Sequence, residues 1–224
     1  MASPLERRGR EKAELRTKML DAARELFVSE GYDAVTMRKV AERIEYSPTA
    51  IYLHFADKDA LIRDLCVHDF SAFAARFAEA ASVADPIERL RRAGEVYVAF
   101  ALGHPQQYRL MFMTPYPPVE PDAEQAVDPA QNSYLFLRTT IAQAIEQGRL
   151  RPEHSNAELV AQTVWAGMHG VVSLHIAKGC EGGWIQWTPI EQRIRAMVEM
   201  IFDALLAERP ARRAAAPARK KGRG

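Results

Sequence analysis

Cysteine is scarce. Cys66 and Cys180 are the only two in 224 residues, and neither belongs to a Cys-x-x-Cys pair. That excludes a disulfide framework or a zinc ribbon and leaves two reduced, packed thiols as the expectation. The histidines offer no His-x-x-x-His, and His104, His154, His169 and His175 lack a metal-site spacing. Gly-x-Ser-x-Gly and the Gly-Lys-Ser/Thr phosphate loop are both missing. No apolar run approaches the roughly eighteen residues of a membrane span, and the polar, basic start does not read as a secretory signal. Alternation of period two is nowhere sustained, so strands are not expected. These absences predict a cytoplasmic, all-α protein with no metal or cofactor, not acting on a membrane. An enzyme of unrecognised type on a helical scaffold is the rival reading.

What is present is an uneven distribution of charge. The net value is +1, but it averages three unlike parts. Residues 1–60 carry eleven basic and eleven acidic groups, 61–208 carry twelve basic and eighteen acidic, and 209–224 carry seven basic and none acidic. Overall charge therefore argues neither for nor against a nucleic-acid partner. The tail RPARRAAAPARKKGRG holds too little apolar surface to order itself and is expected to be disordered. Its basic groups suggest, as an alternative function, a non-specific DNA-architectural protein, which the acidic body opposes.

Residues 1–10 read as a flexible arm. From Glu11, the residues Leu15, Met19, Ala22, Ala23, Leu26 and Phe27 form one apolar helical stripe, closed by Gly31. Thr36 is placed to cap a short helix carrying Met37, Val40, Ala41 and Ile44. Ser47 caps the next, with Pro48 at its first position and Tyr46 as a hydrophobic staple on Ile51. Asp57 caps a third that is predicted to run from 58 to about 82. Two very short helices joined by a tight turn are the outline of a helix-turn-helix over 11–60.

The run YSPTAIYLHFADK (46–58) is the most informative stretch. On a helical wheel over 48–55, Ile51 and Phe55 point inward and Thr49 and Leu53 outward, flanked by Ala50 and Tyr52. No carboxylate lies between Ser47 and Ala56, which is unusual for a merely solvated face. Such a face suits a DNA major groove about 12 Å wide. Tyr52, His54 and Lys58 can reach phosphate oxygens, and the helix start at Ser47 and Pro48 favours an anion. Base reading falls to Thr49, Ala50 and Leu53, with Arg38 on the preceding helix suited to guanine. The plain alternative is a scaffold hairpin whose Tyr52 and His54 are ordinary surface residues.

Segment 17–62 resembles the N-terminal domain of TetR-family transcriptional repressors. The resemblance rests on the Gly31-Tyr32 turn, Thr36 with Arg38, Ala41-Glu42, and the series Ile51, Tyr52, His54, Phe55, Lys58 and Leu61. It implies that Tyr52, His54 and Lys58 contact phosphate, that Pro48, Thr49 and Ala50 face the groove, and that Arg38 reads a base. The chain departs from the pattern at Glu45, where the family usually has Gly, and at Tyr46, where it has a small aliphatic. A different turn or a strained residue is expected at Glu45.

Residues 61–208 are too long and too apolar for a spacer. The resemblance implies a helical domain that dimerises and binds a small effector. The last helix, about 189–208, carries Ile194, Met197, Val198, Ile201 and Leu205. The helix at 158–177, which includes Val171 and Leu174, is apolar around much of its circumference. Both are expected to form a homodimer interface, the alternative being packing within one chain. Segment WAGMHG (165–170), with HPQQYRLMF (104–112), resembles the WHG-type C-terminal domain of one TetR subgroup. Gly167 and Gly170 inside a helix each cost about 1 kcal/mol against Ala, which points to a close approach by a helix or ligand. Tyr97, Phe100, Phe112, Trp165 and His169 are the candidate walls of a pocket for an apolar or aromatic effector. Equally, Trp165 and His169 read as core. The combined expectation is a dimeric repressor that binds a near-palindromic double-stranded DNA operator and is released by a small molecule.

Overall fold

The structure, a computed structural model, describes residues 4–115, 128–178 and 185–207. Ten helices occur among them: α1 (Pro4–Glu30), α2 (Met37–Arg43), α3 (Pro48–Tyr52), α4 (Lys58–Ala75), α5 (Ala78–Ala81), α6 (Pro86–Gly103), α7 (Pro105–Met113), α8 (Ser133–Glu146), α9 (Ala157–Lys178) and α10 (Ile190–Leu205). The one β-type pairing is an isolated bridge between Leu150 and Leu206. The tail beyond Ala207, Cys180 and Trp184 fall outside the described residues.

Three side-chain caps set the N-terminal module. Thr36 accepts from Lys39 N at 3.2 Å, Ser47 Oγ from Ala50 N at 3.3 Å, and Asp57 from Ala60 N at 2.7 Å. Each satisfies a backbone donor that a helix start leaves orphaned. The resulting short helices pack Val40, Ala41, Ile51 and Phe55 against Met19, Ala23 and Phe27 of α1. Full burial of each large apolar side chain contributes about 1.5–3 kcal/mol. This core does not stop at residue 60. It includes Leu61, Ile62, Leu65 and Cys66 of α4 and Leu110 of α7.

Several expectations change. The arm over 1–10 is helical from Pro4, because its Arg and Glu residues favour helix and Arg7 pairs with Glu11 at 3.5 Å one turn on. The helix expected to run to 82 breaks after Ala75, and α3 ends at Tyr52 rather than Phe55. Tyr46 is 45% exposed, so it is not core.

The turn between α2 and α3 bears out the expected strain. Glu45 has φ +60°, and it is the one non-glycine residue with positive φ among those described. Tyr46 N donates to Ala41 O at 2.9 Å and Glu45 N to Glu42 O at 3.2 Å, the paired bonds of a Schellman ending whose left-handed position favours glycine.

A buried polar hub ties this module to the rest. Arg24 of α1 donates to both carboxylate oxygens of Asp69 on α4, at 2.9 and 2.7 Å, and Gln107 of α7 adds a third bond at 3.1 Å. Asp69 is fully buried. Removing one member of such a pair strands a charge and costs about 3–5 kcal/mol. Two further cores complete the body. One holds Phe73, Tyr97, Phe100, Tyr108 and Met168, and the other Ile87, Ile141, Val160 and Phe202.

Replacing Glu45 with Gly relieves the left-handed backbone, offset by the greater freedom of glycine in the unfolded chain. The Glu45→Gly variant is expected to be more stable by about 1 kcal/mol in urea denaturation.

Candidate functional site

Two sites emerge, one at each end of α4. At the first, α3 stands outward from the N-terminal core. Ser47, Pro48, Thr49, Tyr52 and Leu53 are exposed, and Ala50 and His54 are half-buried. Leu53 is 77% exposed, the most of any large apolar side chain described. The face is therefore small, apolar in part and free of acid, as its composition predicted.

The cations beside it are not equivalent. Lys58 donates to Tyr32 O at 3.0 Å and lies 4.1 Å over the Tyr32 ring. It therefore fastens the turn after α1 as well as facing the surface. Arg38 is exposed and pairs with Glu42 at 2.7 Å, a solvent-screened contact that can be exchanged for a base edge. His54 is held below its ordinary pKa, by burial first and then by the cations of Lys12 and Arg16. Nothing in the sequence places those two residues of α1 beside His54, which lies about forty residues further on. Their only signal was the basic run ERRGREKAELR, which shows charge and not position.

The second site is a cavity of about 400 Å³ between α4, α6, α7, α8, α9 and α10. Tyr97, Phe112 and Trp165 line it as expected. Phe100 does not. It is buried against Phe73 at 4.6 Å between ring centroids, with Arg76 over its ring at 5.5 Å. His169 is also set behind the wall, because its ring is drawn to two tyrosines.

These residues form a continuous chain of hydrogen bonds. Trp165 Nε1 donates to Tyr97 Oη at 3.3 Å, Tyr97 Oη meets Tyr108 Oη at 2.7 Å, and Tyr108 Oη meets His169 Nδ1 at 2.6 Å. Burial pushes the Tyr97 phenol up to about 12 and Tyr108 higher, so both stay protonated. Burial lowers the pKa of His169 and favours the neutral ring, whose Nδ1 pairs with Tyr108 Oη. The polar atoms of this wall thus satisfy one another.

The expected dimer residues also divide. Leu205 is buried in its own core. Ile194, Met197, Val198 and Ile201 pack against the protomer's own core. A helical stripe has the same period whichever partner it meets, so the pattern could not separate these from an interface. Gly167 admits α10, since a Cβ there meets Met197 Sδ at 3.2 Å. Gly170 faces open space. Val171 is half-buried, and Leu159, Leu174 and Met200 are 61%, 47% and 60% exposed. Trp187 is half-buried with Arg193 over its ring at 4.9 Å.

The depressed pKa of His169 makes a pH prediction. A group that protonates less readily when folded contributes stability that is complete above its ordinary value near 6.5 and is lost as pH falls below it. The melting temperature is expected to drop between pH 7.5 and 5.5, and to drop less in His169→Gln, as read by thermal denaturation at both pH values.

Comparison with known proteins agrees with this arrangement. Residues 19–65 match the family described as bacterial regulatory proteins, tetR family, and residues 90–201 match the tetracyclin repressor-like C-terminal domain. That second description does not carry the WHG label. The transcriptional regulator UidR of Escherichia coli K12 is 38% identical over 64 residues, 29% of this chain and 33% of UidR. The transcriptional activator FasR of Mycolicibacterium smegmatis is 33% identical over 104 residues, 46% of this chain and 48% of FasR. The chain thus spans about a third of UidR and half of FasR. A TetR-family transcription regulator from Marinobacter aquaeolei superposes with a TM-score of 0.69 at 19% identity, over 89% of this chain and 98% of that one. With one match on the helix-turn-helix and the other across half the sequence, the chain belongs to the TetR family of bacterial regulatory proteins.

Proposed function

We propose that the protein is a ligand-responsive, DNA-binding transcriptional regulator, acting as a repressor, that engages a near-palindromic operator as a homodimer. The observation that carries this is the outward face of α3. It is acid-free from Ser47 to Ala56, with Leu53 projecting into solvent and Lys12 and Arg16 close enough to act on His54. A leucine so exposed is a net cost in water, and thymine methyls in a major groove offset it. Thr49 reads base edges beside it. Tyr52, His54 and the α1 cations hold phosphate, and Lys58 contributes from its seat on Tyr32. Arg38 releases Glu42 to meet guanine.

The second protomer covers the apolar surface left on α9 and α10. Leu159, Leu174 and Met200 remain 61%, 47% and 60% exposed, and no described residue of another helix stands within 4 Å of a Cβ at Gly170. Small residues along α9 let a second copy of the helix approach closely. Two α3 helices then reach successive major grooves, about 34–36 Å apart on one face of the duplex.

The cavity supplies the control. Its walls include Cys66 and Phe70 of α4, and α4 begins in the DNA-reading core. An effector that fits only one disposition of α4 shifts the population toward the wrong α3 spacing and lowers operator affinity.

Two outcomes are expected. Tyr52→Phe, lacking a phosphate-directed hydroxyl, weakens binding to all sequences alike. Thr49→Ala changes the preference among sequences in a selection from random duplexes. Wild-type behaviour from both in gel-shift titrations sinks the assignment of this face. Separately, Leu174→Glu places a charge in the covered surface and is expected to weaken dimerisation at least about tenfold by sedimentation. An unchanged dimer places the interface elsewhere.

A further inference from the structure

The cavity walls are apolar and aromatic apart from a few neutral polar groups, and they contain a single charged residue, Arg91 of α6. Among the described residues, no Asp, Glu, Lys or His lines the cavity beside it. Arg91 is half-buried, and its guanidinium carbon lies 3.9 Å from the centroid of the Phe202 ring. Stacking on that ring keeps the side chain along the wall rather than extended into water.

The other arginines of the same helix are differently engaged. Arg92 pairs with Glu95 at 2.8 Å, and Arg89 donates to Val83 O at 2.8 Å and to Gln143 Oε1 at 2.5 Å. For Arg91 no carboxylate lies within ion-pair distance among the described residues. A guanidinium with five donors, partly desolvated on an aromatic ring and beside an apolar chamber, is suited to an anion. Cationic ligands meet repulsion there and no compensating acid. Neutral ligands leave the guanidinium donors unmatched.

We infer that the effector is an amphipathic monoanion, with an acyl or aryl body filling the cavity and one acid group held by Arg91. This rests on the effector-binding reading above and gives it a chemical class. The aromatic end, Phe112 and Trp165, takes the body. The chain Trp165–Tyr97–Tyr108–His169 is internally satisfied and asks nothing polar of the ligand. Recognition of charge is thereby concentrated at Arg91.

The test uses the full-length protein and three probes of equal chain length: decanoate, decanamide and decylamine. Binding is read by calorimetry and by release of bound operator DNA. Decanoate is expected to bind about tenfold or more tightly than decanamide, with decylamine the weakest. Arg91→Met is expected to bring decanoate down to the level of decanamide and leave decanamide unchanged. Arg91→Lys, which keeps the charge, is expected to retain part of the preference, and melting curves of both variants confirm folding. Equal affinity for acid and amide, or a preference that survives Arg91→Met, overturns the anionic class while leaving the effector cavity standing. Binding by none of the three overturns both.

Discussion

The fold turns on the ion pair between Arg24 and Asp69. It joins α1, which carries the helix-turn-helix, to α4 where that helix passes toward the cavity, and Gln107 brings α7 to the same carboxylate. Three helices from two halves of the molecule thus share one buried charge. Apolar contacts tolerate sliding, whereas a bidentate guanidinium–carboxylate pair fixes angle and register. The DNA-reading module is therefore not hung from the body on a loose hinge. Its orientation is set by hydrogen bonds whose loss strands a charge away from water.

Around that fixed point the two candidate sites follow opposite logics. The face of α3 is made of groups that the protein leaves open to a partner: an exposed leucine, a threonine hydroxyl, a tyrosine and a histidine kept neutral by burial and then by nearby cations. The aromatic wall of the cavity is the reverse. Tyr97, Tyr108, His169 and Trp165 bond to one another, and burial is the largest influence on the titration of the two tyrosines and the histidine. Unsatisfied groups mark where a polar partner is expected, and satisfied ones mark a wall. By that criterion Arg91 belongs with the first kind although it sits in the second place.

Much of this was legible from residue order. Thr36, Ser47 and Asp57 announced their helices because capping is local: a side chain bonding a backbone donor three residues on needs no knowledge of the fold. Glu45 was legible only through the family resemblance, which has Gly where this chain has Glu. What was not legible depended on a third dimension. Phe100 and Tyr97 lie one turn apart on one helix, yet only Tyr97 reaches the cavity, and Phe100 is instead covered by Phe73 and Arg76 at the end of α4. The stripe on α10 packs on the protomer's own core, but periodicity carries no information about which helix covers it. Lys12 and Arg16 were missed because their proximity to His54 arises from packing of α1 on α3, across some forty residues of sequence.

Cys66 and Phe70 each serve two masters. Cys66 is counted in the packed interior of the helix-turn-helix module and also lines the cavity, and Phe70 packs against both that interior and the aromatic one. Evolution cannot tune these two positions for a new ligand without also retuning the stability of the DNA-reading half. The opposite wall, built from Tyr134, Leu137, Val164 and Trp165, contributes nothing to that interior. Divergence in ligand preference among descendants of this sequence is thereby channelled to the far side of the chamber, while the near side is held by a constraint that has nothing to do with the ligand.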